Sequence, residues 1–385
     1  MQFELTEEQR MVQEQARRFA EKEILPTVEE EERGHVFNRE RLKKMGELGF
    51  FGCCIPEEYG GNGMGFVESV LMTEQIAKVS PSWRVPFNMQ NIGPAITVNQ
   101  FGTEEQKRTY IPGWVSGEKI GFFAITEPNA GSDVAGMRTT AKDMGDHWEL
   151  NGQKMWISNA PVADVGLVYA YTDKEKKYKG MTCFIVDVAN NPNIERRAIE
   201  TKLGLHCSPT GELIFDGAKI PKDAVLGQVG EGFKICMWML NNTRLSCAAG
   251  ALGVSGACLE LAVKYANERT QFGNPISTYQ MIQAQIAEMA AEHEAAKWLV
   301  YHAAYLKDQG KPNQLQTSIA KYFASESAVR AANEAMKIFG SYGFSTEYPI
   351  ERYYRDVKSY QIVEGTSNVQ KMIIAGITCG HQPNR

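Results

Sequence analysis

Three long helical segments in the C-terminal part of the chain constrain its fold more than any other feature. Apolar residues recur with the helical period over approximately residues 235–268, 277–309 and 312–340, and these segments are rich in alanine and contain few prolines. Long helices with apolar faces become stable when they pack against one another. The segments therefore predict a helical bundle.

The N-terminal part of the chain also has a helical pattern, and a β pattern separates the two. From Thr6 to about Ala77 the spacing is amphipathic, with Thr6 as the predicted N-cap of a first helix that stops at Pro26. Between about Ile120 and Leu226, short apolar runs such as IGFFAIT and TCFIVDV alternate with Gly, Pro, Asn and Asp. This middle part predicts short β-strands.

The order of these parts divides the chain into three expected domains. Within the β part, Asn151-Gly152 lies between two alternating segments and predicts a hairpin turn. We expect a mostly α protein with a central β domain. The expected domains are a helical domain of residues 1–119, a β domain of residues 120–231 and a helical bundle of residues 232–385.

Composition and charge exclude several classes of function. The chain has 41 Lys and Arg against 46 Asp and Glu, a net charge of −5, so no strong positive field attracts nucleic acid or anionic lipid. The N-terminal MQFELTEEQR lacks a basic start and an apolar signal region, and no apolar run reaches the length of about eighteen residues that a membrane span needs. We expect a soluble, cytoplasmic protein without membrane insertion or a nucleic-acid partner.

Cysteine and histidine spacing argues against a metal site. The eight cysteines form no C-x-x-C pair, and His293 and His302 are nine residues apart, which is not the spacing of a helical metal pair. We therefore predict neither a bound metal nor a disulfide framework.

Two stretches of the β part have the residue types of a cofactor site. FFAITEPNAGSDVAG, residues 122–136, combines glycine, proline and hydroxyl side chains in one turn, and KMWIS, residues 154–158, places Trp156 on a strand. A plain β connection and a core tryptophan are the ordinary interpretations. The functional interpretation is a loop whose N–H and hydroxyl groups bind a polar heterocycle beside a flat aromatic ring.

A single carboxylate lies among apolar residues in SYQIVEGTSNVQ, residues 359–370. Gly365 follows Glu364, and Ser367 with Gln370 has the spacing of a capping box at a helix start. Glu364 is therefore expected in a tight turn before that helix. Its charge either complements the helix dipole or acts as a catalytic base in an apolar pocket, and this stretch alone is compatible with both.

Three further stretches place basic residues or glycines at helix ends. NNTRLSCAAGALG, residues 241–253, and ANERTQFGNPISTYQ, residues 266–280, each carry an arginine near a helix boundary, and MKIFGSYGFSTEYP, residues 336–349, ends the last long helix. These residues are either solvated arginines and a C-terminal turn, or groups that contact phosphate and pyrophosphate.

In this order and combination, TEPNAGSDVAG, NGQKMWISN, ERTQFGNPIS, GFSTEYPIERYYRD and VEGTSNVQ resemble the acyl-CoA dehydrogenase family over essentially the whole chain. The resemblance implies a helical N-terminal domain, a β-barrel-like middle domain and a C-terminal four-helix bundle. It also implies an acyl-CoA substrate, a homotetramer with FAD between domains and subunits, and an electron-transferring flavoprotein as electron acceptor. A scaffold that has lost catalysis is the alternative, and the retention of Glu364, Thr126 and Trp156 argues against it.

The resemblance also implies roles for individual residues. Glu364 matches the base that takes the α-proton of the thioester while FAD accepts the hydride. Positions that match flavin contacts are Phe123, Ile125, Thr126, Ser132, Trp156, Ile157 and Ser158. Positions that match the rest of the FAD site, partly from a neighbouring subunit, are Arg269, Phe272, Gln280, Lys337, Gly340, Ser341, Thr366 and Asn368. Positions that match substrate contacts are Ser132, Asn241, Arg244, Val363 and Gly365, where Asn241 replaces a common Asp.

The acyl group is predicted from SPSWRVPFNMQNIG, residues 80–93. Arg84 is expected on a turn between two helices, with Trp83, Val85 and Phe87 lining the acyl pocket. The stretch is similar to the glutaryl-CoA dehydrogenase branch, in which an arginine here binds the distal carboxylate of the substrate.

The residue before the base distinguishes two types within that branch. Val363 resembles the type that forms glutaconyl-CoA without releasing CO₂, because decarboxylating members carry Tyr at this position. The expected reaction is oxidation of glutaryl-CoA to glutaconyl-CoA. The alternatives are a decarboxylating glutaryl-CoA dehydrogenase and a dehydrogenase of a cyclic or branched monocarboxylic acyl-CoA.

Overall fold

A computed structural model describes residues 4–381 of the chain, and its N-terminal part is helical. Thr6 caps the first helix as predicted, in a capping box with Gln9. That helix gives way to a π-helical turn at Ala20–Ile24 and ends before Pro26. The helices of this part are α1 (Glu7–Phe19), α2 (Val28–Gly34), α3 (Arg39–Glu47), α4 (Phe66–Val79), α5 (Pro81–Asn91), α6 (Pro94–Phe101) and α7 (Glu104–Val115).

The middle part forms one continuous sheet. Its strands are β1 (Phe123–Ala124), β2 (Thr140–Asp143), β3 (His147–Ser158), β4 (Val165–Tyr171), β5 (Met181–Asp187), β6 (Ile194–Ala198), β7 (Thr210–Pro221) and β8 (Val225–Leu226). The strand order is β6-β7-β3-β2-β4-β5-β8, with β1 added parallel to β4. Alternate residues of β4 face two separate cores, because side chains of a strand point to opposite sides of the sheet. Leu167 and Tyr169 pack with the helices, whereas Val168 and Ala170 pack inside the β domain.

The prediction of a hairpin turn at Asn151-Gly152 is wrong. The β2–β3 hairpin turns at residues 144–146, and β3 continues through Asn151-Gly152. The pairing of β3 with β7 shifts register between Leu150 and Gly152, so the dipeptide forms a β-bulge. Gly152 has φ 145°, and a Cβ there would lie 2.6 Å from the Thr139 hydroxyl. Gly152 therefore allows close packing within the sheet. The turn preference of the Asn-Gly dipeptide does not determine the backbone at this position.

The C-terminal part is the predicted helical bundle. Its helices are α8 (Gly232–Glu268), α9 (Gln280–Asp308), α10 (Gln314–Phe339), α11 (Ile350–Val357) and α12 (Ser367–Thr378), with a short β9–β10 hairpin (Thr270–Gln271 and Asn274–Pro275) between α8 and α9. The α10 helix packs against α8, α9, α11 and α12. Small side chains such as Ala249, Ala324 and Ala328 fill its interface and allow close helix approach.

The two helical parts meet along α8. Helices α4 and α5 of the N-terminal part pack on α8, and so do α10 and the 3₁₀ segment Lys358–Gln361 before α12. In length and composition α8 could cross a membrane, but most of it is buried inside this protein, which makes it the central core helix. Side chains from α5, α8, α10 and the segment before α12 are thereby brought together.

Candidate active site

Glu364 lies in a turn just before α12, as the sequence predicted, and the backbone of this turn is strained. Glu364 and Gly365 both have left-handed backbone conformations, with φ 59° and 85°. A glutamate in this region costs about 1–3 kcal/mol, so the surrounding structure must hold it. The turn connects the 3₁₀ segment Lys358–Gln361 to α12.

Three buried side chains hold the carbonyl groups of this turn. Arg244 Nε donates to Glu364 O at 3.0 Å, and Lys321 Nζ donates to Gly365 O at 2.8 Å. Gln370 Nε2 donates to both carbonyls, at 3.3 and 3.0 Å. Cationic donors form strong hydrogen bonds in a low-dielectric interior, so the turn is fixed before substrate arrives.

The predicted capping box of Ser367 and Gln370 is wrong. Thr366 is the N-cap of α12 and accepts from the Val369 N–H at 3.2 Å. The Ser367 hydroxyl donates to Glu326 instead, at 2.5 Å. Neither predicted capping side chain caps α12, because Ser367 makes a tertiary contact with Glu326 and Gln370 bonds to the adjacent turn that carries Glu364.

The carboxylate of Glu364 is half-buried and has one direct partner. The Thr243 hydroxyl donates to Oε2 at 2.5 Å. Burial raises the pKa of Glu364 above its ordinary value, while the Thr243 hydrogen bond and the charges of Arg84, Arg244 and Lys321 act in the opposite direction. The net effect is a Glu364 carboxylate that is more basic than a solvated glutamate.

Arg84 was predicted on a turn between two helices, and this prediction is wrong. It lies inside helix α5. It is 3% exposed, and its guanidinium carbon lies 4.7 Å from the centre of the Tyr360 ring. Gly250 on α8 makes room for this pair, because a Cβ there would lie 2.9 Å from Tyr360 and 3.0 Å from Arg84 Nε. No carboxylate lies within 4.0 Å of the Arg84 guanidinium among residues 4–381.

The neighbours of Arg84 on α5 divide between two faces. Trp83 and Phe87 are fully buried in the N-terminal core, where Trp83 Nε1 donates to Glu31, so they do not line the acyl pocket as predicted. Asn88 lies one helical turn after Arg84 on the same face. It is fully buried, and neither its amide oxygen nor its nitrogen has a hydrogen-bond partner in the described chain. Within the described residues, Arg84 Nε and the Asn88 amide are thus buried on one helix face without a hydrogen-bond partner.

Trp156 lies near the C-terminal end of β3 and is exposed to solvent. The backbone of Trp156 is left-handed, with φ 61°, and 52% of the residue is exposed, whereas Trp83 and Trp114 are fully buried. The neighbouring Met155 N–H donates to Thr126 O at 2.9 Å, which joins the 123–127 segment to β3. A flat aromatic surface and a threonine are therefore held side by side.

A buried ion pair connects Lys154 on β3 with Glu127 on the 123–127 segment. Lys154 is fully buried and donates to Glu127 at 2.8 Å and to Ile125 O at 3.2 Å. Burial lowers the pKa of Lys154 to about 8, and Glu127 opposes that shift. Glu127 in turn accepts from the N–H groups of Arg138 and Thr139.

The other predicted flavin positions differ in exposure. Ile125 and Ile157 have side chains buried in the apolar cores. Phe123, Thr126 and Ser158 are half-buried, and Ser132 is exposed on the loop after β1. The Ile125 and Ile157 side chains face the cores because alternate residues of a strand point to opposite sides.

The remaining predicted FAD positions form an exposed group elsewhere on the surface. Arg269 lies over the ring of Tyr342, 5.7 Å from its centre, which joins the β9–β10 hairpin to the turn after α10. Phe272 is 94% exposed and left-handed. The exposed predicted positions of this set are Arg269, Phe272, Gln280, Lys337, Gly340, Ser341 and Asn368. The Thr366 hydroxyl, predicted to contact the cofactor, already accepts the capping hydrogen bond.

Two predicted substrate contacts have protein partners. The Asn241 amide donates to Asn313 at the start of α10, at 2.9 Å. Arg244 is 5% exposed and uses Nε to hold Glu364 O. Val363 remains 38% exposed beside the turn.

Sequence reasoning missed Thr243, Asn88 and Lys321. A detectable signal existed for Lys321, because it lies on the same helical face as Thr317, Ala324 and Ala328, a buried stripe on which a lysine is unusual. Thr243 and Asn88 gave no comparable signal, because threonine and asparagine occur on many helices without a role.

Family models match the chain in three consecutive parts. They are the acyl-CoA dehydrogenase N-terminal domain over residues 6–118, the middle domain over residues 122–218 and the C-terminal domain over residues 230–377. The fold and site are those of an oxidoreductase that acts on acyl thioesters. The chain belongs to the acyl-CoA dehydrogenase family.

Individual relatives agree with this assignment. A glutaryl-CoA dehydrogenase of Desulfococcus multivorans is 50% identical over 97% of both chains. A solved complex of glutaryl-CoA dehydrogenase with glutaryl-CoA has a TM-score of 0.97 and 48% identity, covering 100% of this chain and 98% of that one. A glutaryl-CoA dehydrogenase from Mycobacterium smegmatis in complex with FADH₂ has a TM-score of 0.94 and 31% identity over 99% of this chain and 97% of that one.

The residues present fit FAD, the cofactor of this family. The exposed Trp156 ring, the adjacent Thr126 and the polar 128–133 loop offer an aromatic face with hydrogen-bonding groups at one edge. Bound FAD supplies a two-electron acceptor for the hydride of the substrate β-carbon. The protein dehydrogenates acyl-CoA substrates, and this chain must bind the thioester, exclude water and provide a base.

Proposed function

We propose that this protein oxidises glutaryl-CoA to glutaconyl-CoA without decarboxylation, with Glu364 as the base and Arg84 binding the distal carboxylate. The observation that carries the proposal is the buried guanidinium of Arg84, which lacks a carboxylate partner among residues 4–381. A buried charge without a counter-ion is strongly unfavourable. A substrate carboxylate would supply the missing anion in bidentate geometry.

The neighbours of Arg84 support a polar end to the acyl pocket. The unpartnered Asn88 amide on the same helix face can donate a further hydrogen bond to a carboxylate. Tyr360 stacks on Arg84 and lies four residues before Glu364 on one segment. The charges of Arg84 and Glu364 affect each other's pKa, so the two groups lie within electrostatic reach.

The chain's own groups account for the proton transfer. Glu364, made more basic by burial, takes the α-proton of the thioester, and the Thr243 hydroxyl holds its carboxylate in place. The Glu364 N–H is proposed to donate to the thioester oxygen as negative charge develops there. The left-handed backbone fixes the direction of both groups.

Val363 supports retention of the carboxylate. Its side chain offers no hydroxyl to the distal carboxylate, which therefore pairs fully with Arg84. Loss of CO₂ would remove the anion that Arg84 stabilises, so tight pairing disfavours it. A decarboxylating enzyme remains the second candidate, because the reaction up to glutaconyl-CoA is the same. A cyclic or branched monocarboxylic acyl-CoA is less favoured, because it would leave Arg84 unpaired.

We also propose a cytoplasmic homotetramer that passes electrons to an electron-transferring flavoprotein. Phe272 and Phe344 are 94% and 87% exposed in the single chain, and large apolar side chains of this kind are commonly covered by a partner surface. The electron acceptor follows from the family resemblance.

Product analysis tests the substrate proposal directly. The purified protein is given glutaryl-CoA and an artificial electron acceptor, and the CoA products are identified by mass spectrometry beside a CO₂ assay. Glutaconyl-CoA without CO₂ is expected. Crotonyl-CoA with stoichiometric CO₂ would replace the proposal with the decarboxylating reaction, and preference for butyryl-CoA over glutaryl-CoA would contradict the dicarboxylate site.

A further inference from the structure

Lys321 is an unusual residue for the interior of a helical bundle. It is 0% exposed in α10, and its Nζ lies 2.8 Å from both Tyr360 O and Gly365 O. No carboxylate lies within 4.0 Å of this ammonium in the described part of the chain, so its direct partners are two backbone carbonyls. Lysine is almost never fully buried without a specific role.

The two carbonyls lie at opposite ends of one short segment, residues 360–365. Tyr360 ends this segment on one side and stacks on Arg84, the proposed carboxylate-binding residue. Gly365 ends it on the other side, directly after Glu364. A single ammonium therefore connects the part of the site that recognises the acyl chain with the part that removes the proton.

The segment needs such support because regular secondary structure does not provide it. The 3₁₀ helix ends at Gln361, α12 begins at Ser367, and Glu364 and Gly365 are left-handed. Arg244 and Gln370 hold only its Glu364–Gly365 end. Among the described residues, Lys321 is the side chain whose hydrogen bonds reach both ends.

We infer that Lys321 is a positioning residue that fixes the distance between the Arg84–Tyr360 pair and the carboxylate of Glu364. The inference deepens the proposed function and rests on it, because it assigns Arg84 to substrate recognition. Lys321 does not contact the reacting atoms. It acts through the backbone of residues 360–365, and a misplacement of about 1 Å in such a geometry can cost about a hundredfold in rate.

The charge of Lys321 has a second, separable consequence. Its ammonium is among the cations that lower the pKa of Glu364 against the effect of burial. The charged or titratable groups that act on Lys321 itself are Cys247, Glu364, Arg244 and Glu326. Removal of the cation should therefore raise the apparent pKa of the base.

Two variants separate position from charge. Lys321→Met removes both the donors and the charge, whereas Lys321→Gln removes the charge but keeps an amide that can donate to the carbonyls. Lys371→Met is the matched control, because Lys371 is an exposed lysine on α12 that lies over the ring of Tyr322, the residue next to Lys321. FAD content and a thermal melt verify that each variant is folded.

The measurement is kcat/KM for glutaryl-CoA and butyryl-CoA as a function of pH. In Lys321→Met we expect a loss of about a hundredfold with glutaryl-CoA and about tenfold with butyryl-CoA, because only glutaryl-CoA requires both ends of the segment in register. The kinetic pKa of the base should rise. Lys321→Gln should recover most of the glutaryl-to-butyryl ratio while keeping the raised pKa, and Lys371→Met should match the unmodified protein.

Equal losses with both substrates in Lys321→Met would overturn the inference and leave Lys321 a structural residue. Failure of Lys321→Gln to restore the ratio would overturn the role of the hydrogen bonds, and this variant carries the test if Lys321→Met does not fold. The proposed function fails in a different way, because the unmodified protein would then show no preference for glutaryl-CoA.

Discussion

The Glu364 turn and the C-terminal end of β3 at Trp156 each lie near a buried lysine. The two regions differ in whether that lysine has a carboxylate partner. Glu364 and Trp156 are both left-handed, with φ 59° and 61°. Each lies near a fully buried lysine that donates to backbone carbonyls, Lys321 near the turn and Lys154 near the strand edge. Lys321 bonds directly to the turn that contains Glu364, whereas Lys154 bonds to Ile125 O, on the segment that pairs with Met155 next to Trp156.

The difference is the counter-ion. Lys154 is paired with Glu127 at 2.8 Å, whereas Lys321 has no carboxylate within 4.0 Å in the described chain. A neutralised pair produces a weak field outside itself and serves the scaffold. A cation without an adjacent carboxylate in a low-dielectric interior acts on groups further away, including the carboxylate of Glu364. We infer that Lys154 serves only the rigidity of β3 near Trp156. Lys321 serves the rigidity of the turn and also acts electrostatically on Glu364.

The largest expected effect follows from Glu364→Gln, which removes the base while nearly keeping its shape. We expect turnover to fall by about 10²–10⁴-fold, because general base catalysis is lost. FAD content and acyl-CoA binding should be unchanged, as measured by the flavin absorbance spectrum and its perturbation by ligand. Undiminished dye reduction would show that another group is the base.

The Lys154–Glu127 ion pair predicts that substituting Lys154 lowers the folding stability more than substituting Lys321. Lys154→Met leaves Glu127 buried without its partner, which should cost about 3–5 kcal/mol of folding stability. Lys321→Met leaves no unpaired charge: Tyr360 O loses its donor, whereas Gly365 O keeps the Gln370 amide, so the expected cost is about 1–3 kcal/mol. Urea midpoints of the FAD-bound protein provide the measurement.

A companion variant checks the cause of that difference. Adding Glu127→Gln to Lys154→Met should restore part of the lost stability, because it removes the unpaired charge. Equal urea midpoints for the single and double variants would contradict the ion-pair explanation.

Arg84→Gln tests the substrate end of the turn region. Loss of a charge-assisted hydrogen bond costs about 1.5–3 kcal/mol, so kcat/KM for glutaryl-CoA should fall by about tenfold to a hundredfold. Butyryl-CoA, which has no distal carboxylate, should be affected little. If glutaryl-CoA turnover is indifferent to the substitution, Arg84 does not bind the substrate carboxylate.

The smallest expected effect is that of Thr243→Val, which removes the hydroxyl donor from Glu364 while keeping the branched shape. The hydrogen bond favours the ionised carboxylate, so its loss should raise the pKa of Glu364 further. The acidic limb of the kcat/KM profile, where activity falls as Glu364 becomes protonated, should therefore move to higher pH. At a pH well above that limb we expect a loss of only about tenfold. An acidic limb at its original pH would show that Thr243 does not tune the base.

Sequence patterns predicted the regular parts of the fold because those parts depend on local periodicity. The bundle helices, the Thr6 cap and the strands of the middle part lie close to their predicted ranges. The errors fall where distant groups compete with local chemistry. Asn151-Gly152 forms a bulge because β7 pairs on both sides of it, and the Ser367 hydroxyl donates to Glu326 on α10 instead of capping α12. The three domain boundaries and the roles of the predicted FAD contacts stay predictions.

The sequence by itself determined the order of helical and β parts, the family and the turn that carries the Glu364 carboxylate, because each depends on residue types at fixed spacing. Only the tertiary structure decided which polar groups surround that carboxylate. Arg84 comes from α5, Thr243 and Arg244 from α8, and Lys321 from α10, and no spacing along the chain relates them. Their roles depend on burial and distance, since the same side chains exposed to water would be solvated and would exert little influence on Glu364.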